Sequence, residues 1–157
     1  MKQIPIKKKW TKHKQGVYHA KNKDKYSGTL PIVYRSSWEC HLMRYLDNCS
    51  SCINWGSESA VVKYDDPVKK KKKRYFIDFT AVFRDKDGQQ KKFYIEVKPH
   101  KETKPPVRTT RKRETTFLKE QRTYARNMAK WQAAVNWANG RSAKFIIITE
   151  NELFKGK

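Results

Sequence analysis

Two apolar runs joined by a turn decide how this sequence folds: Arg74-Tyr75-Phe76-Ile77-Asp78-Phe79-Thr80-Ala81-Val82-Phe83-Arg84, then Asp85-Lys86-Asp87-Gly88, then Gln90-Lys91-Lys92-Phe93-Tyr94-Ile95-Glu96-Val97-Lys98. Both runs are rich in β-branched and aromatic residues, and Asp-Gly is a strong hairpin signal, so the pair reads as an antiparallel β-hairpin closed by Pro99. Side chains alternate across a strand, which puts Glu96 and Lys98 on one face and Ile95 and Val97 on the other. Asp78 is opposite in parity to Tyr75, Ile77, Phe79, Ala81 and Phe83, in a strand otherwise suited to a half-buried sheet.

Outward from the hairpin, Ser59–Tyr64 reads as a further strand, broken by Asp65-Asp66-Pro67. Upstream, Ser36 or Ser37 can cap a helix that ends near Asn48, with Trp38, Leu42, Met43, Tyr45 and Leu46 along an apolar stripe. Glu39 falls inside that stripe. Ser36-x-x-Glu39 matches a capping box, which accounts for the glutamate without chemistry; a carboxylate among Leu42, Met43 and Leu46 equally suits a buried site. Downstream, Thr115 or Thr116 opens a long helix to about Asn139, with Phe117, Tyr124, Met128, Trp131, Val135 and Ala138 expected on its core face. Asn139-Gly140 stops it, and Lys144–Thr149, containing Phe145-Ile146-Ile147-Ile148, is expected to be a buried central strand.

The chain has 157 residues with 37 Lys+Arg against 15 Asp+Glu, a formal net charge of +22. That excess exceeds an ordinary solvated surface and implies a polyanionic partner, with nucleic acid foremost because neutralised phosphates release counterions. No run approaches the ~20 apolar residues of a membrane span, so no membrane association is expected. Residues 1–29 read as a basic, flexible N-terminal arm carrying Trp10, His13, Tyr18, His19 and Tyr26, and residues 30–157 as one folded domain. Lys69, Lys70, Lys71, Lys72, Lys73 and Arg74 form a solid basic run just before the first hairpin strand. Arg111, Lys112 and Arg113 close an exposed basic loop at 100–113, expected to be mobile. These are the candidate DNA contacts. Cys49-x-x-Cys52 is half of a zinc knuckle, but no second pair follows it.

An acid on one hairpin strand and Glu-x-Lys on the next suit a divalent metal, because carboxylates with water make the oxygen-rich shell that Mg²⁺ prefers. Mn²⁺ is expected to substitute. Taken singly, each of these residues fits the wet face of an antiparallel sheet, where cross-strand charges are routine. The combination, preceded by a helix bearing Glu39, favours a site made of Glu39, Asp78, Glu96 and Lys98.

Ile77-Asp78-Phe79 followed by Ile95-Glu96-Val97-Lys98 resembles the PD-(D/E)xK nuclease superfamily, which includes restriction enzymes, resolvases and transposase endonuclease subunits. The wider series Val33-Tyr34-Arg35-Ser36-Ser37-Trp38-Glu39, Trp55-Gly56-Ser57-Glu58, Arg74 to Phe79, Ile95 to Pro99, Lys130-Trp131 and Thr149-Glu150-x-x-Leu153 is similar to the head-completion nucleases of T-even-like tailed phages. The resemblance implies an α/β, restriction-endonuclease-like core: a mixed β-sheet flanked by helices in the order α-β-β-β-α-β. It implies Mg²⁺-dependent hydrolysis of double-stranded DNA, with Asp78, Glu96 and Glu39 toward the metal, Lys98 as the catalytic lysine, and Lys130 of the long helix as a further DNA contact approaching the phosphate. It further implies work in the host cytoplasm during phage assembly, alongside portal or neck proteins and in association with the virion. Ile77 stands where the motif has proline, a position that does not bind metal. Glu58 is a further acidic candidate. A non-catalytic DNA-binding neck or head protein, or an RNA-binding protein of ribosomal type, would explain the charge but not the three acids.

Overall fold

The computed structural model describes residues 14–155. A four-stranded sheet, in the order β3-β4-β5-β6, is built from Cys52–Asp66, Lys71–Arg84, Gln90–Val97 and Lys144–Ile148. β3, β4 and β5 are antiparallel neighbours, while β6 joins β5 in parallel. This is the expected mixed sheet flanked by helices, with α1 (Ser37–Asn48) before it and α2 (Glu114–Asn139) crossing over between β5 and β6. A two-stranded ribbon of β1 (Gly16–Tyr18) and β2 (Ile32–Tyr34) precedes α1, and α3 (Glu150–Leu153) follows β6.

Two hydrophobic clusters occupy the two faces. Trp38, Leu42, Met43 and Leu46 of α1 pack with Cys52, Trp55, Phe79, Ala81, Ile95 and Val97. Trp131, Ala134 and Ala138 of α2 pack with Ala60, Val62, Tyr64, Tyr75, Ile77 and Tyr94. Each large side chain removed from water here contributes about 2 kcal/mol. The odd-numbered residues of β4 therefore serve both layers: Tyr75 and Ile77 face the α2 cluster, Phe79 and Ala81 the α1 cluster. The change falls at Asp78, opposite an irregularity in β3 between Ser57 and Ala60. Glu58, inside it, has φ of 50°. Such a bulge adds a residue to one strand and increases local twist.

Several expectations are corrected. β6 is an edge strand, not a central one, and its side chains from Phe145 to Ile148 are half-buried. The buried face of α2 is Asn127, Trp131, Ala134 and Ala138, which leaves Met128 36% exposed, so the helix is rotated from the expected stripe. Tyr45 is 54% exposed, and Asp47 takes its place in the buried face of α1.

The N-terminal arm is corrected in part. Residues 1–13, with Trp10 and His13, lie outside the described residues, but residues 14–29 are docked on the body. The reason is Asp47, fully buried. Its carboxylate accepts from the Tyr18 hydroxyl at 2.8 Å and from the Lys21 and Asn22 main-chain N–H groups at 2.8 and 3.0 Å. Trp55 is the second anchor, with the Tyr26 and Tyr18 rings edge-on at centroid distances of 4.7 and 6.0 Å. Ser27 N–H donates to the Trp55 carbonyl, and a side chain at Gly28 would crowd the Ser57 main-chain N at 3.2 Å, so glycine permits this approach. The loop after β5 is also fastened: His100 N–H donates to Glu150 Oε2 at 2.7 Å, and Lys112 Nζ donates to the Val107 carbonyl at 2.8 Å. No described helix is long and apolar enough to cross a membrane.

Candidate active site

Glu96 sits near the end of β5 and is 6% exposed. A carboxylate so buried needs partners, and both of its oxygens have one. The Tyr75 hydroxyl donates to Oε2 at 2.6 Å, and the Lys98 ammonium stands 3.4 Å from Oε1. Lys98 follows the last residue of β5, and its main-chain N–H still donates to the Ile148 carbonyl of β6 at 3.0 Å. The parallel strand thus holds the lysine in line with Glu96. Burial, followed by the charge and the hydrogen-bond acceptance of Glu96, raises the Tyr75 phenol far above its ordinary range. It remains a proton donor throughout the physiological range.

Asp78 reaches the same place from β4. The β4–β5 ladder runs to Phe79 opposite Ile95, and beyond it the Val97 N–H donates to Asp78 Oδ2 at 2.9 Å. Burial pushes the Asp78 carboxyl well above the usual range, and the charges of Glu96 and Glu39 push it further, against the Val97 hydrogen bond and the Lys98 charge. Glu39 is raised as well, by burial first and by Glu96 to a smaller degree, against bonds from Arg35 and Ser36. Three carboxylates therefore share one electrostatic neighbourhood with one lysine.

Glu39 belongs to the α1 cap, although its carboxylate takes the Arg35 N–H and not that of the N-cap Ser36 which the capping box requires. Its N–H is capped by Ser36 Oγ at 3.1 Å, while its Oε2 accepts from the Arg35 N–H at 2.8 Å and its Oε1 from Ser36 Oγ at 3.3 Å. The cap fixes the Glu39 carboxylate at the start of α1, within electrostatic reach of Asp78 and Glu96. Glu58 is ion-paired with the Arg35 guanidinium, which links it to the residue that holds Glu39.

Repelling carboxylates with raised proton affinity, in a hard-oxygen donor set, fit a divalent cation better than any softer metal. Among the described residues, no three His, Cys, Asp or Glu side chains are already gathered tightly enough to hold an ion. Glu39 is tied into its cap and Glu96 to Tyr75, so Asp78, Glu96 and Glu39, the acids expected toward a metal, are neighbours rather than a finished cage. For Cys49-x-x-Cys52 the same holds: Cys52 is buried, and Cys49 Sγ lies 3.1 Å from Ser51 Oγ.

The candidate DNA contacts divide by what their charges already do. Lys69, Lys70, Lys71 and Arg74 are exposed around the β3–β4 turn, as are Arg111 and Arg113 before α2. Lys72 is exposed and pairs loosely with Asp65 at 3.0 Å. Lys73 is committed elsewhere: its Nζ and Arg126 Nε each stand 3.0 Å from the buried Asp66 Oδ2. Lys112 is likewise paired, 2.6 Å from Glu120 Oε2. Lys130 lies over the Tyr75 and Tyr64 rings at 5.4 and 5.9 Å. Burial lowers its proton affinity, with Lys98, Arg126 and Lys73 adding to the effect and Glu96 opposing it. That half-buried position places it at the edge of the site.

Sequence reasoning missed Tyr75, which it treated as core. The available signal was that a tyrosine buried inside a strand must find a partner for its hydroxyl.

The chain is similar to known endonucleases. The family described as TnsA-like endonuclease N terminal matches residues 49–150, which span β3 to the start of α3. The chain is also 42% identical over 149 residues to the head completion nuclease of Enterobacteria phage T4, covering 90% of this chain and 97% of that protein.

Proposed function

The chain belongs to the TnsA-like endonuclease family, and from that premise we propose that it hydrolyses double-stranded DNA with a Mg²⁺ ion held by Asp78 and Glu96. It is a DNA endonuclease of phage head completion, and its family is generally dependent on a divalent metal. The observation that carries the site assignment is the convergence of Asp78, Glu96 and Glu39 beside Lys98 in a chain of net charge +22.

Held by Asp78 and Glu96, a divalent ion would supply Lewis-acid polarisation of the scissile phosphate and a more acidic water. The protein's own residues do the rest. Asp78 and Glu96 offer oxygens from adjacent strands, and Glu39 adds negative charge from the α1 cap. Lys98, held between β5 and β6, carries a positive charge to the phosphate as charge builds on its oxygens, or orients the attacking water. The exposed cations Lys69 to Lys72, Arg74, Arg111 and Arg113 hold the backbone without reading sequence, since contacts to phosphate position DNA and carry no base information. Mn²⁺ supports the same chemistry. The natural setting is the host cytoplasm as heads are completed, at the packaged DNA and beside portal or neck proteins.

The test is incubation of supercoiled plasmid with the full chain in Mg²⁺, Mn²⁺ or chelator. Nicked and linear products are expected with either metal and none with chelator. DNA binding without cleavage in any divalent metal would replace this reading with a non-catalytic head or neck protein.

A further inference from the structure

We propose that Tyr75 is a positioning residue for the metal-binding carboxylate, a role that rests on the reading of Glu96 as a ligand. Glu96 lies on β5 and Tyr75 on β4. The buried phenol donates to Glu96 Oε2 at 2.6 Å, within the short range expected of a hydroxyl bonded to a carboxylate. This fixes the side-chain torsions of Glu96 and leaves Oε1, on the Lys98 side, as the oxygen offered to an ion. Asp78 is arranged in the same way. Val97 N–H occupies Oδ2, and no described residue hydrogen-bonds Oδ1. Each acid therefore has one oxygen held by a hydrogen bond, while the other faces only the Lys98 ammonium at 3.4 Å in Glu96 and no described donor in Asp78.

The third carboxylate is not equivalent. Both Glu39 oxygens accept bonds within the α1 cap, so Glu39 contributes charge while Asp78 and Glu96 contribute contacts. Single-oxygen donation from two acids suits one hard cation that keeps most of its water, the habit of Mg²⁺. The Tyr75 ring is itself held: it is 5% exposed in the α2 cluster, and the Lys130 ammonium lies over it at 5.4 Å. The long helix thus sets the ring, the ring sets Glu96, and Glu96 sets the ion.

Calorimetric titration of the full, metal-free protein with MnCl₂, without DNA, tests this. Wild type is expected to take one ion per chain. Tyr75→Phe, which keeps the ring and loses the donor, is expected to bind Mn²⁺ about tenfold more weakly, as other substitutions behind a ligand do. Cleavage by Tyr75→Phe should need more metal but recover at saturation, a split that loss of packing would not give. Tyr75→His, with a ring N–H for Glu96, should regain part of the affinity, which guards against a folding defect in Tyr75→Phe. Unchanged affinity in Tyr75→Phe, a cleavage defect that metal cannot rescue, or two ions per wild-type chain would overturn the proposal. Asp78→Ala separates the two levels. If it abolishes Mn²⁺ uptake while Tyr75→Phe leaves affinity intact, only the role of Tyr75 falls; if uptake survives in Asp78→Ala, the site assignment itself falls.

Discussion

The main-chain N–H of Val97 donates to the side chain of Asp78 at 2.9 Å, so an acid read as catalytic also satisfies a strand donor just beyond the end of the β4–β5 ladder. Asp78→Asn keeps an acceptor for that N–H and removes a charge that Glu96 and Glu39 oppose. The metal-free variant should melt at the same temperature as wild type or higher. Its cleavage should fall about a thousandfold, the consequence of losing several kcal/mol of metal-borne stabilisation. Thermal melts and a plasmid assay on the same preparation check both halves.

Lys98→Ala should lower the metal-free melting temperature, since the buried Glu96 loses its cation, while metal uptake persists because a bound ion replaces that charge. Cleavage should drop about a hundredfold, in the range for losing one donor to a developing oxyanion. The measurement is turnover at saturating Mn²⁺, with gel-shift binding as the control.

The basic run before β4 should not behave as a unit. Lys71→Ala should weaken binding to all duplex sequences alike and lower the slope of log affinity against log salt by about one. Lys73→Ala should leave that slope unchanged and lower the melting temperature, because its ammonium serves the buried Asp66. Filter binding at several salt concentrations distinguishes the two.

Acid should loosen the fold at two identifiable places. Burial alone would raise the carboxyl of Asp66, but bonds from Lys73, the Lys69 and Val68 N–H groups and Arg126 hold it well below the usual range. For Asp47, burial is likewise outweighed by the Lys21, Tyr18 and Asn22 bonds. Folded values below the unfolded one, about 3.9, mean that the stability these acids contribute is present above about pH 4. It is lost as pH falls through the lowered values. Melting temperature between pH 5 and pH 2 should fall less steeply in Asp66→Asn than in wild type.

Asp47→Ala should release residues 14–29. Three donors lose their acceptor, at about 1–3 kcal/mol for each buried group left unpaired. Hydrogen exchange at Lys21 and Asn22 should accelerate while the amides of β4 and β5 stay protected.

The central hairpin was legible because its information is local. Alternation places Glu96 with Lys98, and Asp-Gly supplies the turn, without reference to anything distant. Helix α1 was legible for the same reason, through Ser36 and the spacing of Trp38, Leu42 and Leu46. The net charge named the class of partner. The tertiary structure decided what depends on approach between distant segments: that odd-numbered residues of β4 change layers at Asp78, that α2 turns Asn127 rather than Met128 inward, and that β6 lies at the edge. It also decided which charges are free. Lys73 and Lys71 are indistinguishable along the chain, and only the burial of Asp66 separates them. Tyr75 looked like core by its parity, and it is core. Its hydroxyl became part of the site because folding brings Glu96, 21 residues away, within 2.6 Å, and a buried phenol with a buried carboxylate in reach has no better partner.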